Sequence, residues 1–354
     1  MLEYFSLEWS FTGRLEHGRV VHTASLLNNG KVLVAGGLSS SGNSFSEAEL
    51  YDSTTGNWTQ TGRMHHKRAG HTALVLPNGK VLVAGGTPDD DTALKSAELY
   101  DPETGNWTMT GSMHHERVLH TASVLPNGQV LVTGGESASK DQLNTCELYD
   151  PMTGNWTTTM NMHVMRSVHT ASVLSNGKVL ITGGTSDGGN GLNTTEMYDP
   201  PTGKWTVTST MHCQRMDHTA TVLLNGLVLV TGTNEAKDAE LYNSSTNTWT
   251  ITGSMQDARA FHTASLLPSG KVLVSGGSND DYTGIKSTEL YDPLTGMWTS
   301  AGTMEVNRIC HTASVLANGN VLITSGGSTL DSPSHTAELF NSSAEKFIEL
   351  NRMK

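Results

Sequence analysis

The sequence predicts an all-β protein in which seven four-stranded antiparallel sheets form a ring, and three observations lead to this expectation. The element R-x-x-H-T-A recurs seven times, at intervals of 49 residues except for one of 44. Each copy leads into a short apolar segment with a two-residue turn signal, and then into a run of branched residues that ends in glycine. A fixed period of about 50 residues is the signature of a repeated supersecondary unit. The repeated histidines are His22, His71, His120, His169, His218, His262 and His311.

Each unit reads as four short strands, and the second unit shows the pattern clearly. Residues 71–76 (HTALVL) form the first strand, and the Asn-Gly turn after them is a strong hairpin signal because both central residues tolerate positive φ. Residues 80–86 (KVLVAGG) are apolar on both faces, as expected of a strand between neighbouring sheets. The third and fourth strands are 97–101 (AELYD) and 107–111 (WTMTG), joined by a turn that contains proline and glycine. Such units, repeated radially, predict a seven-bladed β-propeller.

The whole chain, residues 1–354, is expected to form this single propeller as a monomer. Residues 7–12 resemble an additional outer strand with Trp9 at the tryptophan position, and they provide one way to complete the last sheet. In the alternative, residues 346–350 complete it; a third possibility is that the chain was cut from a longer array. Trp9 matches the repeat better than Phe347, which favours the first closure. The blades are expected at about 19–62, 68–111, 117–160, 166–209, 215–253, 259–302 and 308–350.

The repeated residues resemble those of kelch repeats, whose marks are a double glycine, a tyrosine and a tryptophan about seven residues later. In the second unit these are Gly85-Gly86, Tyr100 and Trp107. The R-x-x-H-T-A element and the NGKVLVAGG segment are similar to the propeller domain of the galactose oxidase group. The resemblance implies a kelch-type propeller and supplies a copper-oxidase hypothesis.

Composition excludes several classes of function. The chain has 22 Lys and Arg against 34 Asp and Glu, a net charge of −12, which repels phosphate backbones and disfavours nucleic acid as a partner. No apolar run approaches the roughly 18 residues of a membrane-spanning helix, so no membrane association is expected. The three cysteines, Cys146, Cys213 and Cys310, are far apart and lack C-x-x-C spacing, which disfavours a disulfide framework or a structural zinc site.

The cellular compartment stays open. The first residues, MLEYFSLEWS, lack the regions of a secretory signal. Six N-x-S/T sequons nevertheless leave a secreted origin open, although three of them lie in a repeated GNWT turn. The sequon asparagines are Asn57, Asn106, Asn155, Asn193, Asn243 and Asn341.

Arginine, histidine and glutamate recur once in every unit, which indicates architecture, because catalysis needs one asymmetric constellation. We expect the seven arginines and seven glutamates to form repeated ion pairs between strands or blades. The glutamates are Glu49, Glu98, Glu147, Glu196, Glu240, Glu289 and Glu338.

The copper-oxidase hypothesis makes a direct demand on the residues. The resemblance implies a ligand tyrosine immediately before one of the repeated histidines, and a cysteine cross-linked to another tyrosine. None of the seven pre-histidine residues is tyrosine, so no catalytic residue, metal or cofactor is predicted. Neither a nucleophile elbow nor a distinct sialidase-like arginine triad stands out from the repeats. The pre-histidine residues are Val21, Gly70, Leu119, Val168, Asp217, Phe261 and Cys310.

Candidate ligand-binding residues lie in two sets of loops on one face, those before the first strand and those after the glycine pair. The loops after the glycine pair vary most between units, and variable loops on a rigid scaffold often carry binding. The other loops carry exposed histidines; adjacent imidazoles bind zinc, copper or nickel, but neighbours in an extended segment point in opposite directions. The candidates are His65, His66, His114, His115, His163, Asp89, Asp90, Asp280, Asp281 and Tyr282.

The sequence therefore predicts a non-enzymatic binding scaffold that recognises a protein segment or a carbohydrate on this loop face. A basic peptide would suit the acidic rim. One alternative is a galactose oxidase-like or sialidase-like enzyme on the same face. Another is a multivalent lectin, which would need repeated exposed aromatic residues, whereas the variable loops offer only Phe45 and Tyr282.

Overall fold

The computed structural model describes residues 9–89, 91–233, 236–279 and 283–344. Within these residues, 28 strands form seven four-stranded antiparallel sheets, and one 3-10 helix lies at Ser342–Ala344. The prediction of a seven-bladed β-propeller is confirmed. No helix in the described ranges is long and apolar enough to cross a membrane.

The first four blades follow one another along the chain, each numbered from its innermost strand outwards. Blade 1 contains β2 (Thr23–Leu26), β3 (Val32–Ala35), β4 (Ala48–Asp52) and β5 (Asn57–Gln60). Blade 2 contains β6 (Thr72–Val75), β7 (Val81–Ala84), β8 (Ala97–Asp101) and β9 (Asn106–Met109). Blade 3 contains β10 (Thr121–Val124), β11 (Val130–Thr133), β12 (Cys146–Asp150) and β13 (Asn155–Thr158). Blade 4 contains β14 (Thr170–Val173), β15 (Val179–Thr182), β16 (Thr195–Asp199) and β17 (Lys204–Val207).

The remaining three blades complete the ring. Blade 5 contains β18 (Thr219–Val222), β19 (Val228–Thr231), β20 (Ala239–Asn243) and β21 (Thr248–Ile251). Blade 6 contains β22 (Thr263–Leu266), β23 (Val272–Ser275), β24 (Ser287–Asp292) and β25 (Met297–Thr303). Blade 7 contains β26 (Thr312–Val315), β27 (Val321–Thr324), β28 (Thr336–Phe340) and, as its outer strand, β1 (Trp9–Arg14).

The seventh sheet takes strands from both ends of the described chain. Trp9 pairs with Phe340 in register, and their rings lie 5.2 Å apart. The Trp9 indole donates a hydrogen bond to Thr288 Oγ1 of blade 6 at 3.2 Å. Residues 346–350, the alternative closing segment, lie outside the described residues. Around the axis each innermost strand contacts the innermost strands of both neighbouring blades, and β26 contacts β2, so the ring is closed.

Local sequence explains how each blade forms. In blade 2, Gly79 has a φ of 83°, and its N–H donates to the Leu76 carbonyl at 2.8 Å, which closes the hairpin between β6 and β7. The four residues of β7 are all buried, as the two-sided apolar pattern predicts. The blades pack through apolar clusters. Met64 belongs to a cluster that joins β3 of blade 1 to β7 of blade 2, so this methionine fills space between the two blades.

Buried ion pairs hold the loop before each first strand. In blade 2, Arg68 Nη2 lies 2.7 Å from Glu98 Oε1, and both side chains are fully buried. The other oxygen of Glu98 accepts a hydrogen bond from the His65 N–H at 2.7 Å. Burial alone would raise the pKa of Glu98, but this hydrogen bond and Arg68 outweigh it and lower the pKa. Equivalent pairs at 2.7–3.0 Å occur in all seven blades, so the predicted pairing is confirmed, and each pair lies within one blade.

The repeated histidines connect one blade to the next. His71 of blade 2 shares a hydrogen bond of 2.9 Å between its Nε2 and Thr23 Oγ1 of blade 1. Burial, reinforced by the charge of Arg68, lowers the pKa of His71 to about 3, so the imidazole is neutral at physiological pH. The same histidine–threonine contact recurs between the other pairs of neighbouring blades. These histidines serve the architecture, as the repeat predicts.

Candidate functional site

The pre-histidine residues form a closed ring of backbone hydrogen bonds around the propeller axis. All seven have φ between 46° and 60°, in the left-handed region, and six of them are not glycine. The N–H of each donates to the carbonyl of its counterpart in the preceding blade at 3.0–3.4 Å. The N–H of Val21 donates to Cys310 at 3.3 Å, which closes the circle. We call Val21, Gly70, Leu119, Val168, Asp217, Phe261 and Cys310 the axial ring.

This conformation turns the axial-ring residues out of the strand and towards the axis. A left-handed conformation costs a non-glycine residue roughly 1–2 kcal/mol, and the ring hydrogen bonds offset part of that cost. All seven residues are partly exposed, whereas the arginine and histidine of the same repeated element are buried. The axial ring is therefore the part of the element that remains available to a ligand.

An open cavity of about 570 Å³ lies over the axial ring at the loop end of the axis. Its volume falls within the range of about 300–1,000 Å³ that is typical of ligand pockets. We call it the axial cavity. Its wall consists of the axial ring, the seven repeated histidines, Glu136, Thr185, Gly188, Met216 and Leu330.

The axial cavity is apolar over much of its wall and acidic on one part of it. Glu136 follows the glycine pair of blade 3, and Asp217 belongs to the axial ring in blade 5. Burial, together with the charge of Glu136, raises the pKa of Asp217 to about 7. Among the described residues, the wall contains neither lysine nor arginine, and its histidines have lowered pKa values. The cavity therefore presents negative charge without a cation of its own.

The thiol in the axial ring is not prepared for nucleophilic chemistry. Burial, with a contribution from the charge of Asp217, raises the pKa of Cys310 to about 12, so the thiol is protonated at neutral pH. Burial likewise raises the pKa of Cys146 to about 12. All three cysteines are free, which agrees with the prediction that there is no disulfide framework.

The structure places the predicted histidines away from the axial cavity. Nδ1 of His65, His114 and His163 lies 2.8–2.9 Å from the glutamate of the same blade's ion pair. His66, His114 and His115 line a second groove, of about 690 Å³, in blades 2 and 3. A role for these histidines in ligand binding stays a prediction.

The predicted acidic residues divide into two groups. Asp89 Oδ1 accepts hydrogen bonds from the Asp91 and Thr92 N–H groups and from Thr92 Oγ1, and the last of these is the main reason why the pKa of Asp89 is lowered. Asp89 thus organises its own loop. The remaining candidates, Asp90, Asp280, Asp281 and Tyr282, lie outside the described residues.

The sequence-based candidates did not include Glu136, Met216, Asp217 or Phe261. A signal for two of them was present, because the pre-histidine position is the only one within R-x-x-H-T-A that carries both an acidic and an aromatic residue. The pattern of repeated strands did not reveal that this position lines a cavity, because it gives no indication of the left-handed turn that directs these side chains to the axis.

The donor set does not fit the copper site that the galactose oxidase resemblance implies. The axial ring contains no tyrosine, and the Nε2 atoms of the neighbouring histidines already contact threonines. Within the described ranges, no three His, Cys, Asp or Glu side chains are grouped to hold a metal ion.

Comparisons with known proteins agree with the geometry of the blades. Residues 21–232 match the family model of the KLHDC2/KLHL20/DRC7 Kelch-repeats domain. The chain belongs to this kelch-repeat family. The match begins in the axial ring at Val21 and reaches the end of β19 in blade 5, which is more than half of the chain. No curated protein sequence matches the kelch chain significantly.

Among solved structures, the kelch chain is similar to a fungal alcohol oxidase of the AA5 family, determined in complex with copper. The two superpose with a TM-score of 0.75 and 19% sequence identity, over 94% of this chain and 76% of the oxidase chain. At this level of identity the similarity shows a shared propeller fold. It also confirms the resemblance to the galactose oxidase-like fold.

Proposed function

We propose that this protein is a non-enzymatic binding module that recognises a protein segment in the axial cavity. The main support for this proposal is the axial ring, in which six residue types occupy seven structurally equivalent positions around one cavity. The arginine, histidine and threonine that accompany each position are invariant between blades and maintain the scaffold. Variation at a partly exposed position of a rigid repeat is what a recognition site requires.

A protein segment fits the chemistry of the wall better than a carbohydrate does. Kelch propellers commonly bind proteins, and the wall offers branched side chains, Met216 and Leu330 for apolar contact. Carbohydrates usually stack on aromatic rings. Apart from the imidazoles, the described wall residues include one aromatic side chain, that of Phe261. A multivalent lectin is disfavoured for a second reason: it needs several binding sites, whereas the axial cavity is a single site.

The enzyme alternative has support from the fold alone. The AA5 alcohol oxidase shares the propeller, but the axial ring lacks the tyrosine that the copper chemistry of the galactose oxidase group needs. The protonated Cys310 thiol is equally unsuited to nucleophilic catalysis.

The proposal is tested by selecting displayed random peptides on the full-length protein and measuring their affinity for two variants. Val168→Phe fills the cavity from an axial-ring position, and Phe261 shows that such a position accepts an aromatic side chain with a φ of 55°. Met152→Phe is the matched control, since Met152 is 92% exposed on a turn at the opposite face. We expect Val168→Phe to weaken peptide binding by at least about tenfold, the loss of a central contact, and Met152→Phe to leave it unchanged. Peptides that bind wild type and Val168→Phe equally would overturn the proposal.

A further inference from the structure

We propose that the axial cavity takes a basic side chain, an alkyl stem that ends in an ammonium or guanidinium group, from the bound segment. This inference rests on the proposed function and specifies its ligand. It combines the shape of the cavity, its apolar wall and two carboxylates that come from different blades.

The apolar part of the wall suits the alkyl stem. Leu119 and Val168 project from adjacent blades of the axial ring, and Met216 and Leu330 extend the wall. Lysine and arginine carry three or four methylene groups that pack on such surfaces while the charged end seeks polar partners. A purely polar cation would gain nothing from this part of the wall.

The two carboxylates suit the charged end. Among the described residues, the Glu136 carboxylate accepts one hydrogen bond, at Oε1 from Ser167 Oγ at 2.9 Å. No described residue donates a hydrogen bond to the Asp217 carboxylate or forms an ion pair with it, whereas every repeated arginine is already paired within its own blade. A half-buried carboxylate without a partner is costly, and a cation from a ligand would remove that cost.

Phe261 lies in the same part of the cavity wall as Asp217. It follows Asp217 in the axial ring, and its N–H donates to the Asp217 carbonyl at 3.0 Å, so the aromatic side chain and the carboxylate come from adjacent ring positions. A guanidinium or ammonium group is attracted both to carboxylates and to the face of an aromatic ring.

A metal ion is a poorer occupant than an organic cation. Two carboxylates on different blades leave most coordination positions of a divalent ion without a protein donor, and the Cys310 thiol is protonated. An alkyl cation uses the apolar wall as well as the charge, whereas a metal ion uses only the charge.

The inference is tested by methyl NMR of the full-length protein, labelled with ¹³C at methionine and leucine methyl groups. The methyls of Met216 and Leu330 report on the cavity, and their signals are assigned with Met216→Leu and Leu330→Met. The probes are N-acetyl-arginine methylamide, N-acetyl-lysine methylamide and the neutral isostere N-acetyl-citrulline methylamide. We expect the charged probes to shift both methyls, and citrulline to bind about tenfold to a hundredfold more weakly than arginine.

Three variants locate the effect. Asp217→Asn and Glu136→Gln should each weaken arginine binding by about tenfold and reduce its advantage over citrulline by the same factor. Glu103→Gln, the control, changes an exposed carboxylate on the opposite face and should have no effect. The inference would be overturned if the citrulline probe bound as tightly as the arginine probe. It would also be overturned if the charged probes, at their solubility limit, left the Met216 and Leu330 methyl signals unshifted.

The peptide selection separates this failure from failure of the proposed function. If the selected peptides lose binding to Val168→Phe but contain no excess of lysine or arginine, the proposed binding function is supported and the proposed basic ligand is refuted. Peptides indifferent to Val168→Phe would refute both.

Discussion

At the scale of single residues, the Asp217 carboxylate differs from the seven repeated glutamates, each of which is paired with an arginine. Burial, together with the charge of Glu136, raises the pKa of Asp217 to about 7, above the ordinary value of 3.8. The folded state therefore binds more protons than the unfolded state between about pH 4 and pH 7. The stability that this residue contributes is present at low pH and is lost as the pH rises through about 7. Such a cost is typical of a residue retained for binding.

Asp217→Asn should therefore stabilise the protein at pH 8 by about 1–3 kcal/mol and change it little at pH 4 to 5. The change removes the charge that burial and Glu136 disfavour. Denaturant unfolding of both proteins at each pH provides the measurement, with the exposed Glu103→Gln as a control. A variant no more stable than wild type at pH 8 would show that Asp217 carries no such cost.

The Arg68–Glu98 pair gives a second prediction for individual residues. Arg68→Met should lower the free energy of unfolding by about 3–5 kcal/mol, because it leaves the fully buried Glu98 carboxylate without its cation. The double variant Arg68→Met/Glu98→Gln should lose less than the sum of the two single losses. Chemical denaturation of the four proteins measures the coupling, and strict additivity would show that the pair is not an energetic unit.

At the scale of elements, the repeat made most strands predictable. The first strand of unit 2 was expected at 71–76 and lies at Thr72–Val75, and the hairpin follows from Asn78-Gly79. The third strand, 97–101, has the predicted bounds. These features depend on local turn chemistry and on alternation of apolar residues, which the sequence displays directly.

The candidate site was less predictable than the strands for a physical reason. Glu136 and Asp217 are 81 positions apart in the chain, and only closure of the ring brings both to one cavity. The left-handed φ of Asp217, 53°, interrupts the strand pattern on which sequence-based prediction depends. Asp89 was expected on the binding surface because it is charged and lies in a variable loop; its hydrogen bonds lie within that loop, and its role in binding stays a prediction.

The strand β1 allows a prediction about blade 7. Trp9→Ala should cost about 3–5 kcal/mol, because Trp9 is 8% exposed and packs on Phe340. Phe11→Ala on the same strand, where the side chain is 53% exposed, is the matched control and should cost little. In Trp9→Ala, exchange of backbone amide hydrogens should become faster in β28 and remain unchanged in blades 2 to 4. Equal acceleration in all blades would contradict a local role for β1.

At the scale of the whole molecule, seven buried neutral histidines make the fold sensitive to acid. Their pKa values are lowered, chiefly by burial, from the ordinary 6.5, to about 3 for His71, His218 and His311. Below pH 6.5 the unfolded chain binds more protons than the folded chain. Stability is therefore present above that pH and is lost as the pH falls towards 3.

Unfolding measurements between pH 7.5 and pH 4.5 should reveal this sensitivity. Each histidine contributes up to about 1.4 kcal/mol per pH unit below its unfolded pKa, so the seven together should unfold the protein at moderately acidic pH. Stability that is constant down to pH 5 would show that the histidines are not buried in their neutral form.

Photo-crosslinking shows whether the axial cavity holds a bound protein segment. A photoreactive benzoylphenylalanine is incorporated in place of Leu330, which lines the cavity, or in place of Leu294, which is 95% exposed on a turn of the opposite face. Each protein is irradiated with a peptide selected on the wild type. We expect a crosslink from position 330 and none from position 294. A crosslink from position 294 without one from position 330 would place the ligand outside the axial cavity and refute the proposed function.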